Sequence, residues 1–87
     1  MAEKIISVDK IEYVQNLIGS FDENINILQR QYNTTILVRG SDIKISGEEE
    51  AVNNTSKAIE ALLKLVSGGE HITEQNIRYV ISMIDEG

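Results

Sequence analysis

One short hairpin signal sets what this chain can fold into. Thr35-Ile36-Leu37-Val38-Arg39 and Ile43-Lys44-Ile45-Ser46 have strand composition, and Gly40-Ser41-Asp42 between them is turn chemistry. Ile43 and Ile45 alternate with Lys44 and Ser46, so one face of that strand is expected to be buried and the other wet. Ile5, Ile6 and Val8 form a β-branched run, a candidate first strand. Everywhere else the apolar residues recur at helical spacing. Three short strands need helices over one face, so the expected class is α+β, a three-stranded sheet with helices on one face.

The helical segments carry their own punctuation. Ile11, Val14, Leu17 and Ile18 form a first stripe, opened by Asp9 and Glu12 at capping-box spacing and closed by Gly19. Ser20 and Glu23 repeat that spacing. Phe21, Ile25, Leu28 and Tyr32 then fall at steps of four, three and four, which predicts a helix over 22–32 with Phe21 in the core and Asn33 as its C-terminal cap. Ser46-Gly47-Glu48-Glu49 gives a third capping spacing, and Glu48, Glu49 and Glu50 complement the helix dipole. Ala51, Val52, Thr55, Ile59, Leu62, Leu63 and Val66 make the longest stripe, ended by Gly68-Gly69. Thr73 caps a last helix carrying Ile77, Val80, Ile81 and Ile84. The order is β-α-α-β-β-α-α, and 87 residues hold one compact domain.

Chemistry is scarce. Cysteine is absent, which excludes disulfides and thiolate metal sites. None of the glycines opens a G-x-x-x-x-G-K-[ST], so no P-loop is present. The single histidine, His71, stands beside helix-capping Thr73 and reads as an exposed loop residue. Glu48–Glu50 are consecutive and point in different directions around a helix, so they form no metal site. No catalytic, cofactor-binding or metal-binding residue is therefore expected. The net charge of −6 disfavours nonspecific attraction to nucleic acid or to an anionic membrane. No membrane span or signal peptide is visible, and the expected location is the cytoplasm.

Two motifs at a natural separation carry a family resemblance. Ile18-Gly19-Ser20-Phe21-Asp22-Glu23-Asn24-Ile25 joins two helices, and Ile45-Ser46-Gly47 followed by Ala51-Val52 opens the long one. This resembles a KH domain of type I, in which I-G-x-x-G-x-N-I and I-S-G-x-x-x-A-V occupy those places. The resemblance implies a KH-like domain over residues 1–67, with residues 68–87 forming a short loop and a C-terminal helix. It also implies RNA as a candidate partner, because the G-x-x-G loop of the family lets phosphates approach backbone amides. Here that loop is degenerate: Gly19, Ser20, Phe21, Asp22. Asp22 replaces the second glycine and, with Glu23, would repel a phosphate. The alternative reading of the same residues is structural, with Ser20 and Glu23 capping a helix.

A wider series covers nearly the whole chain. I-G-x-x-D-E-N, R-G-x-x-I-x-I-S-G and G-G-E-x-I-T-x-x-x-I-R-Y-x-I look like the N-terminal region of PhoH-like proteins, carried here by Asp22, Glu23, Asn24, Arg39, Gly69, Glu70, Arg78 and Tyr79 among others. That resemblance implies a bacterial, cytoplasmic, ATP-binding parent of the phosphate-starvation-inducible family. ATP and Mg are expected only in a downstream ATPase domain linked in cis, and no cofactor in these residues. The implied role is non-catalytic: positioning the ATPase domain or its RNA or protein partners. An autonomous single-stranded RNA-binding module and a protein-interaction domain on a KH scaffold are the competing readings. Residues 1–47 carry a net charge of −1 and residues 48–87 a net of −5. An anionic ligand would therefore meet the first half, with Gly19, Ser20, Arg30, Arg39 and Lys44 as candidate contacts.

Overall fold

The computed structural model describes residues 1–86. The elements run β1 (Ala2–Ser7), α1 (Ile11–Ile18), a 3₁₀ turn (Ser20–Asp22), α2 (Glu23–Tyr32), β2 (Thr35–Arg39), β3 (Asp42–Gly47), α3 (Glu49–Ser67) and α4 (Glu74–Asp85). The sheet order is β1-β3-β2, with both pairings antiparallel. This is the expected α+β, KH-like arrangement. Gly40 sits at φ 58 in the tight β2–β3 turn, the left-handed conformation such turns favour.

Register sorts the strand residues into two faces. Ile6, Ile43 and Val38 lie in one row across the sheet and Lys4, Ile45 and Ile36 in the next, on the side the helices cover. Ile43 and Ile45 are fully buried there. The opposite face carries the rows Ile5–Lys44–Leu37 and Ser7–Asp42–Arg39. No helix covers it, and Ile5 and Leu37 are 62% and 49% exposed. The alternation around Lys44 is thus realised in β3, while its neighbours on β1 and β2 leave apolar side chains on the wet face.

The core lies between the sheet and the helices. Leu17 of α1, Leu28 of α2, Ile59 and Leu62 of α3, and Ile77 of α4 are all fully buried in one cluster. Burying each such side chain contributes about 1.5–3 kcal/mol. Within α3, Thr55 is buried but satisfied: its hydroxyl donates to the Ala51 carbonyl (2.8 Å) and lies 3.1 Å from the Thr34 hydroxyl. The helix α4 packs on α3 and α2, and Ile72, Val80 and Ile81 belong to the same cluster. Gly68-Gly69 ends α3 through amide bonds to Lys64, Leu65 and Val66, with Gly69 at φ 95.

Of the three expected capping boxes, none forms. Lys10 rather than Asp9 precedes α1, and no side chain caps it; the Val8 amide is held by the Ser41 carbonyl (2.8 Å), which keeps the chain extended past Asp9. Ser46 belongs to β3, paired with Glu3 on one side and Thr35 on the other, so it cannot turn back to cap α3. Ser20 fails for a reason given below. Thr73 does cap α4, reinforced by Asn76, whose side chain reaches the Thr73 amide (2.9 Å). Asn33 ends α2 in the left-handed conformation expected of it (φ 55, ψ 46).

Tyr32 supplies a test of the core. Its hydroxyl is buried without a hydrogen-bond partner among the described residues. Burial, and secondarily the Asp85 carboxylate, raise its pKa above the ordinary 10.0. The folded chain therefore holds the phenolic proton at pH values where the unfolded chain has lost it. Stability from this group is full below pH 10.0 and falls as pH rises beyond it. Tyr32→Phe is expected to leave stability at neutral pH unchanged or higher, and to flatten the alkaline loss. Urea midpoints at pH 7 and above pH 10 check both.

Candidate functional site

The corner between α1 and α2 is built on Gly19. Its φ of 79 with ψ −178 is a conformation essentially reserved for glycine. Its amide closes α1 onto the Gln15 carbonyl (3.3 Å). A Cβ at this position would lie 2.7 Å from Asn24 Nδ2, so the missing side chain lets Asn24 fold under the turn.

The next three residues overturn one expectation. Phe21 is not in the core; it is 98% exposed. Phe21 (φ 54, ψ 34) and Asp22 (φ 59, ψ 23) both adopt left-handed backbone, which interrupts the helix. The helical phase that placed Phe21 in line with Ile25, Leu28 and Tyr32 starts only at Glu23. The Ser20–Glu23 capping box fails for the same reason: Glu23 is the first helical residue rather than the third, and its amide donates to the Ser20 carbonyl. Asp22 precedes α2 without capping it. Left-handed backbone at a bulky residue costs about 1–2 kcal/mol, and this ring gains no packing in return.

Beneath the corner is a cleft of about 270 Å³ whose lining includes Gln15, Ser20, Glu23, Asn24 and His71. His71 arrives from the α3–α4 loop. Asn16 brings it there: its carboxamide donates to the Glu70 carbonyl (3.0 Å) and accepts from the Ile72 amide (3.0 Å). No lysine or arginine lines this cleft, and Glu23 does. A phosphate entering this cleft would meet a carboxylate.

The candidate cations lie elsewhere. Arg30 is on α2, its Nε donating to the Asn26 carbonyl (3.3 Å), beside Gln29, Asn33 and Thr34. Arg39 and Lys44 come together on the uncovered sheet face, where they line a cleft with Ile5, Leu37 and Asp42. Lys44 pairs there with Glu3 (3.3 Å), while Arg39 has no ion pair among the described residues. The five candidate contacts thus occupy three places: Gly19 and Ser20 at the corner, Arg30 on α2, Arg39 and Lys44 behind the sheet. Among the described residues no group of three His, Asp or Glu could hold a metal ion, and no helix is long and apolar enough to cross a membrane.

Comparison with known proteins agrees with this geometry. The profile of the KH domain family matches residues 3–61. A PhoH-like protein of Mycobacterium leprae (strain TN) is 33% identical over 73 residues, 84% of this chain and 21% of that protein. One from Mycobacterium tuberculosis (strain ATCC 25618 / H37Rv) is 30% identical over the same shares. One from Bacillus subtilis (strain 168) is 29% identical over 68 residues, 78% of this chain and 21% of that protein. The chain therefore spans about one-fifth of the length of the relatives it matches. No solved structure matches it significantly.

Proposed function

This chain belongs to the KH domain family, in the form carried by PhoH-like proteins, and from that premise we propose that it is a non-catalytic, N-terminal accessory module of a PhoH-like ATP-binding protein. In this reading the module positions the ATPase domain that follows it, or the partner that domain works on. ATP and Mg belong to that domain, and the setting is the bacterial cytoplasm.

The observation that carries the reading is the match of 84% of this chain to only 21% of its relatives. In those relatives the matched stretch is about one-fifth of the protein, and the remaining four-fifths lie outside it. The corner supports the choice of positioning over gripping: Asp22 and Glu23 stand where the family's RNA-binding loops leave room for phosphate, and the corner cleft holds no cation. The test is to read the coding sequence beyond residue 87 for G-x-x-x-x-G-K-[ST]. A continuous reading frame without it removes the proposal.

Autonomous RNA binding is the second reading, favoured by the match of residues 3–61 to the KH domain family. Titration of a short single-stranded RNA at low salt separates the two. Backbone amide signals of residues 18–25 are expected to stay in place. Shifts confined to that stretch would transfer the assignment to RNA binding.

A further inference from the structure

Two surface features of this chain are complementary to each other. The first is the Phe21 loop. It presents the chain's single phenylalanine almost fully to solvent on a backbone held left-handed at two consecutive residues. Such strain persists only where the surroundings hold it, and here both ends are fixed: Gly19 by its bond to Gln15, and Glu23 by its bond to Ser20. Asp22 and Glu23 flank the ring, and neither has an ion pair among the described residues.

The second is the cleft of about 280 Å³ on the uncovered sheet face. Its floor is the Ile5–Lys44–Leu37 row, and Arg39 and Asp42 edge it; Lys44 is engaged by Glu3 (3.3 Å), which leaves Arg39 as the cation without an ion pair there. Lys4, Arg78 and Arg30 are held by Glu60, Glu74 and the Asn26 carbonyl, and Lys10, Lys57 and Lys64, which have no ion pair among the described residues, do not line this cleft. The cleft joins exposed apolar side chains to a cation, Arg39, with no ion pair of its own among the described residues.

We propose that the Phe21 loop of one copy of this chain docks in the Ile5–Leu37 cleft of a second copy, with Asp22 and Glu23 facing Arg39. The two surfaces lie on different parts of the molecule, so the contact is heterologous. Each copy keeps a free knob at one end and a free cleft at the other, and repetition gives a ring or a chain. One aromatic anchor in a small cleft makes a weak interface, effective where copies are already concentrated. The inference does not depend on the parent being an ATPase.

Complementation tests it. At concentrations near 1 mM the natural chain is expected to sediment heavier than a monomer. Phe21→Ala removes the knob and Leu37→Asp spoils the cleft, and each variant alone is expected to be monomeric, with self-association weakened at least about tenfold. An equimolar mixture of the two retains one good knob and one good cleft, so it should form a 1:1 dimer and nothing larger. Arg39→Glu serves in place of Leu37→Asp should that variant not fold by circular dichroism. A monomeric natural chain, undiminished association of Phe21→Ala, or a mixture of folded variants that stays monomeric would each overturn the proposal. So would a natural chain that is monomeric but whose binding of single-stranded RNA depends on Phe21.

Discussion

Leu62→Ala is expected to cost about 2–5 kcal/mol of folding stability, the range for removing a fully buried leucine. Leu62 sits on α3, the helix that packs against the sheet and all three other helices, and it has no solvent exposure. A chain of 87 residues has a total stability of roughly 4–13 kcal/mol. The loss is therefore a large fraction of everything available, and at the upper end the variant would be substantially unfolded at room temperature. In thermal unfolding the midpoint should fall by at least about 8 °C. Urea unfolding with an unchanged slope would show that the native state alone has been weakened. An unfolding free energy within about 0.5 kcal/mol of the natural chain's would mean that α3 is not the centre of the core.

The second large effect belongs to Gly19. Alanine there must adopt φ 79 with ψ −178, at about 1–3 kcal/mol for the backbone alone. Its methyl would also meet Asn24 Nδ2 at 2.7 Å and Asn24 Cγ at 2.9 Å, so the asparagine has to leave its buried place. The two costs separate in a double-mutant cycle. In an Asn24→Ala background the two closest contacts are gone and Glu23 Cγ at 3.2 Å, on a flexible side chain, remains, so Gly19→Ala should lose little beyond its backbone part. Equal costs in the two backgrounds would show that Asn24 does not pack under the turn as described.

The order of elements was legible because each periodicity is unbroken over its own segment. Val52, Ile59, Leu62 and Val66 read as one buried face of a long helix, and they are buried. The limits of the helices were less legible, because a capping spacing says nothing about what else needs the same residue. Ser46 has the right neighbours for a cap but is claimed by strand pairing on both sides. Phe21 fits the stripe of α2 numerically, yet two left-handed residues cut it out of phase. At the corner, Gly19 was readable from the motif itself. His71 was not, since it reaches the corner through hydrogen bonds between Asn16 and residues more than fifty positions away. Nor was the cleft behind the sheet, which exists only once β3 lies between β1 and β2 and sets Ile5 and Leu37 on either side of Lys44.

The Asn16 carboxamide has a mechanical consequence. By clasping the Glu70 carbonyl and the Ile72 amide it rivets the entrance of α4 to the last turn of α1, three residues before Gly19. A pull or twist delivered to α4 is then not absorbed by the paired glycines alone. To move that entrance, the chain must either break these two hydrogen bonds or carry the last turn of α1 along with it.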